Sequence, residues 1–63
     1  MNSEFKDILE TVTENGRVLG NGDGTFDINS LEVEVEFEAS ERGLSADDTA
    51  AAVAWALAHA DAR

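Results

Sequence analysis

A chain of 63 residues without cysteine has room for one domain near the lower size limit of independent folding, with no disulfide or thiolate metal site to reinforce it. Fourteen acidic residues against four basic ones give a net charge of −10 and a pI near 4.1. Such a field argues against direct binding to nucleic acid or anionic membranes and favours basic protein surfaces as partners.

Apolar residues make up 43% of the chain, and they are patterned, which argues against wholesale disorder. The first residues lack a basic-then-apolar signal region, and no apolar run approaches the length of a membrane span. A cytoplasmic location is the expectation.

Ser3 is a suitable N-cap for a first helix of about ten residues. Phe5, Ile8, Leu9 and Val12 fall on one apolar stripe, with Glu4, Lys6, Asp7 and Glu10 on the outer face. Asn15-Gly16 supplies a helix C-cap. The same pair could instead turn a hairpin between Thr11–Thr13 and Arg17–Leu19, and the helix is the favoured reading.

Arg17–Leu19 then reads as a short strand, Gly20–Gly24 as a turn, and Thr25–Ile28 as a second strand with Phe26 and Ile28 inward. The apolar parity flips between Ile28 and Leu31, so Asn29-Ser30 must hold a turn or a bulge. From Leu31 to Ala39 apolar and polar residues alternate strictly, the signature of a half-buried strand. Leu31, Val33, Val35 and Phe37 would then face the core. Glu32, Glu34, Glu36 and Glu38 would form a row of carboxylates on the other face, with no Lys or Arg between them.

Ser40–Gly43 reads as a connector, and Ser45-Ala46-Asp47-Asp48 opens a last helix that runs to about Ala60. Its stripe Val53, Leu57, Ala60 faces the sheet. Trp55 lies nearly opposite with Ala51, Ala58 and Ala62, and needs cover from the first helix or from a second chain. The expected fold is α+β: an N-terminal helix, a two- or three-stranded antiparallel meander, and a C-terminal helix packed on one face of the sheet.

Asn21-Gly22-Asp23-Gly24-Thr25-Phe26-Asp27 resembles the middle of a calcium loop of the EF-hand or dockerin kind. That resemblance would make Asn21 and Asp23 side-chain ligands, Thr25 a carbonyl ligand and Asp27 a water-mediated one. It covers about ten residues and departs at both ends, where Leu19 and Ser30 replace the first and closing carboxylates. A Gly/Asn/Asp turn explains the same residues, so no metal is expected.

His59 is the lone histidine, four residues after Trp55, with neither a second metal ligand nor a nucleophile to act on. Carboxylates on one solvated face lack the cleft and the unequal environments that acid–base catalysis needs. Neither an enzymatic activity nor a cofactor is expected. A row of like charges in so small a domain instead points to a compensating basic partner. Glu32, Glu34, Glu36, Glu38 and Glu41, with Asp23 and Asp27, are the candidate partner-binding residues, the partner being a nucleic-acid-binding protein or complex. Trp55, Ala51, Ala58 and His59 are the candidate contacts of a homodimer. In general character the chain resembles phage-encoded DNA mimics and anti-CRISPR or anti-restriction inhibitors. The competing expectation is a non-enzymatic structural or homo-oligomeric protein of a halophile, its acidity a solvent adaptation; Lys6 is the only lysine.

Overall fold

A computed structural model describes residues 3–63 and consists of three helices: α1 Ser3–Glu14, α2 Ile28–Glu41 and α3 Ala46–His59. The two outer helices stand where the apolar periodicity and caps predict them. Ile8 and Val12 of α1 are fully buried, while Phe5 and Leu9 flank them half-buried. After Glu14 the chain leaves through Gly16 at φ 70°, with Gly16 N–H donating to Thr13 O and Arg17 N–H to Val12 O. These two bonds satisfy carbonyls that a helix end would otherwise leave without partners.

The expected meander is absent. Among the described residues there is no strand, and Leu31–Ala39 lies inside α2. Three local facts account for this. Asp27 caps the helix, its Oδ2 accepting from Ser30 N–H at 2.9 Å. The interval from Ile28 to Leu31 to Val35, which in a strand demands a bulge at Asn29-Ser30, is ordinary helical spacing. Ser40–Gly43 is no connector but the helix end, where Gly43 at φ 83° donates to Ser40 O and Leu44 to Ala39 O.

Glutamate is also a good helix former and a poor strand former, so the four glutamates favour the helix. Read at 3.6 residues per turn, the alternating stretch buries Leu31, Val35 and Ala39 and turns Val33 and Phe37 to solvent, 61% and 57% exposed. Half of the residues that a strand would bury therefore lie outside the core.

Among the described residues two isolated bridges are all that remains of extended pairing. Phe26 meets Gly20 in an antiparallel bridge and Ala62 in a parallel one. Phe26 N–H donates to Asp61 O and Arg63 N–H to Phe26 O, so the C-terminal residues return along the start of α2. Ala62 thus belongs to this extended segment and not to the last helix. The core comprises Ile8, Val12, Val18, Leu31, Val35, Ala39, Ala52 and Ala56. Ala52 and Ala56 are the fully covered positions of α3, and their small side chains let α2 and α3 approach closely. Val53, Leu57 and Ala60 border them, half-buried.

Candidate functional site

The helical register divides the four glutamates. Glu34 and Glu38 share one side of α2, a turn apart, while Glu32 and Glu36 share another. Arg17, just past the end of α1, takes the first pair: its Nε donates to Glu34 Oε1 at 3.0 Å and its Nη1 to Glu38 Oε1 at 2.7 Å. Arg42 then reaches back to Glu38 Oε2 at 2.9 Å, to Asp7 Oδ2 at 2.8 Å and to Thr11 Oγ1 at 3.2 Å. The chain Asp7–Arg42–Glu38–Arg17–Glu34 ties α1, α2 and the intervening loop together.

These pairs are partly screened from water, with the Glu38 side chain 17% exposed. Hydrogen bonds first from Arg17 and then from Arg42 hold the Glu38 carboxyl below its ordinary range. Arg17 is raised in turn by Glu38 and Glu34, and Arg42 by Asp7 and Glu38. Arg17 also sits over the Phe37 ring, 5.7 Å from its centroid. Its Nη2 is buried with no acceptor among the described residues.

The continuous carboxylate row is therefore not formed. Glu36 and Glu41 are exposed on α2, and Glu32 is half-exposed. Asp27 is committed to its cap. Asp23, at the exposed tip of the loop, accepts from Thr25 N–H and Oγ1–H, and the Thr25 hydroxyl chiefly holds its carboxyl below the ordinary range. None of the seven candidate residues is fully buried, but among the described residues only Glu32, Glu36 and Glu41 of the seven make no side-chain bond. An open groove of about 440 Å³ lies beside Glu36, lined by Ser40, Leu44, Ala46, Thr49 and Ala50.

The loop bearing the calcium-loop resemblance is followed at once by a helix, not by a strand. It is not preceded by one, since α1 ends at Glu14. The two non-carboxylate ends bind each other: Leu19 N–H donates to Ser30 Oγ at 3.0 Å. Among the described residues no group of three or more His, Asp or Glu side chains is placed to hold a metal ion.

On α3 the Trp55 and His59 rings stack at 4.0 Å, with 15° between their planes, and His59 Nδ1–H donates to the Trp55 carbonyl at 2.8 Å. Trp55 is half-buried, and Ala51, Ala58 and His59 are exposed around it. His59 of the same helix thus covers one face of the indole.

Sequence reasoning passed over Arg17 and Arg42. Arg42 was legible, standing four residues after Glu38 in the favourable order for a helical ion pair. Arg17 was not, because its partners lie 17 and 21 residues away. None of the described helices is long and apolar enough to cross a membrane. No protein-family model, curated protein or solved structure matches the chain.

Proposed function

We propose that this protein is a small acidic inhibitor or regulator that occupies the basic, nucleic-acid-binding surface of another protein. One observation carries the reading. The internal network takes three acids and two arginines from totals of 14 and 4, leaving 11 acids against Lys6 and Arg63 on the rest of the molecule. Nearly the whole net charge of −10 therefore lies outside the network that ties the fold together.

A surface of this kind attracts cationic partners over a Debye length, roughly 8–10 Å at physiological salt, and speeds encounter with them. The working carboxylates are the uncommitted ones, Glu32, Glu36 and Glu41 on α2. Glu34 and Glu38 stiffen the helix that displays them. Lysines and arginines that normally hold phosphates would close on these carboxylates and leave no room for nucleic acid.

The test is competition. Labelled duplex DNA is bound to each of a panel of basic DNA-binding domains and titrated with this protein, with poly-glutamate at equal charge concentration as the reference. The reading expects displacement from at least one domain beyond what poly-glutamate achieves, weakening as salt rises from about 50 to 200 mM. Displacement no better than poly-glutamate across the panel refutes it. A fold whose stability climbs steeply in molar salt, with no displacement, supports the solvent-adaptation reading that the single lysine favours.

A further inference from the structure

Among the described residues only eight side chains are buried, yet Leu19, Val33 and Phe37 are exposed at 66%, 61% and 57%. Val33 and Phe37 form a strip on α2, and Leu19 is held at its Ser30 end. Val33 and Phe37 are one turn apart on α2, and the segment from Arg17 to Leu19 runs beside them. That segment is fixed at one end by the Leu19 N–H bond to Ser30 Oγ and at the other by Arg17 over Phe37. Glu36 and the groove toward α3 border the strip on one side, and Glu41 borders it on the other.

Resting on the basic-partner reading above, we propose that this strip is the docking face and that its occupant is a basic amphipathic segment. Apolar side chains of that segment cover Leu19, Val33 and Phe37, while its lysines or arginines meet Glu36 and Glu41. Charge selects this occupant. A second copy would bring another −10 and set the flanking carboxylates against their own kind across a two-fold axis. A stable dimer would also have to bury about 800 Å² per partner, near a fifth of the 3856 Å² that the chain exposes. Anionic lipid and nucleic acid are repelled by the same carboxylates. The strip is held in place by α2 and the Arg17 anchor, so little ordering opposes binding.

Two synthetic peptides of equal positive charge separate this proposal from the reading beneath it: an oligolysine, and a helix-forming Lys/Leu amphipath. Affinities are measured by calorimetry and the contacted residues by amide chemical-shift mapping. The proposal expects the amphipath to bind at least about tenfold tighter, with perturbations centred on Leu19, Val33 and Phe37. Phe37→Ser should remove that advantage and leave oligolysine binding unchanged, with far-UV circular dichroism verifying the fold. Val33→Ser serves the same purpose should the first variant unfold. Equal affinities, or perturbations centred on Trp55, overturn the docking face while sparing the basic-partner reading. Failure of both peptides to bind overturns the two together. Self-association abolished by Phe37→Ser would assign the strip to a second copy and refute the occupant proposed.

Discussion

Glu38 is the hub of the network, and replacing it with Gln isolates what the network contributes. The change keeps side-chain size and helix propensity and removes one charge that faces two guanidinium groups, at 2.7 and 2.9 Å. A buried charge-assisted hydrogen bond contributes roughly 1.5–3 kcal/mol and a fully exposed ion pair about 0.2–1. These side chains lie between those limits, Arg17 keeps Glu34, and Arg42 keeps Asp7 and Thr11. The expected cost is about 1–2 kcal/mol. A domain of this size has on the order of 3–9 kcal/mol to lose, and each kcal/mol moves its Tm by about 4–8 °C. Thermal melts followed by helical circular dichroism should place E38Q roughly 5–15 °C below the parent.

The comparison variant is E36Q, which changes the same charge at an exposed site and should stay within about 0.5 kcal/mol of the parent. The pH dependence carries a defined sign. A carboxyl whose pKa is lowered on folding contributes stability that is present above its unfolded value and lost as pH falls through the folded one. The parent's advantage over E38Q should therefore shrink below the ordinary carboxylate range, and the two curves converge in acid. Equal melting of parent and E38Q at neutral pH, or an equal loss in E36Q, would refute the network.

Three further outcomes follow from local geometry. Gly43→Ala should cost about 1 kcal/mol through its positive φ alone, since a Cβ there meets nothing within 4 Å; an unchanged denaturation midpoint would contradict the helix end at Arg42. Millimolar calcium followed by chelator should leave the Tm unmoved, because Leu19 and Ser30 occupy the two closing positions of the loop and bind each other; a shift of many degrees would establish a metal site. His59→Ala should brighten and red-shift Trp55 emission by uncovering one indole face, with little change in stability; an unaltered spectrum would mean that the stack does not persist in solution.

The ends of this fold were legible and its middle was not. Phe5, Ile8, Leu9 and Val12 favour a helix over the hairpin that Asn15-Gly16 also allows, and Ser45 before an alanine-rich run opens another, because caps and periodicity agree there. In Leu31–Ala39 they conflict. A period of two contains a period of four, so Leu31, Val35 and Ala39 read equally as every second residue of a strand's inward face or as a helical stripe. What decides is the punctuation, an Asp27 cap before and Gly43 after, together with the lack of any long strand for this segment to pair with.

The candidate site inherited that ambiguity. A strand displays four equivalent carboxylates, whereas the helix sorts them into two that the arginines hold and two that they leave, and exposes Val33 and Phe37 beside them. The contact of Arg17 with Glu34 and Glu38 depends on how the loop folds back across α2, which no local pattern announces.

The central claim is this division of the α2 carboxylates into structural and displayed sets. It is tested most directly by pairing two neutralised variants, E34Q/E38Q and E36Q/E41Q, and measuring melting temperature and oligolysine affinity in each. The first pair should melt well below the parent and, while folded, keep most of its affinity. The second should melt like the parent and bind several-fold more weakly. Two variants that lose affinity equally and melt alike would mean that the four carboxylates are equivalent, which contradicts the division.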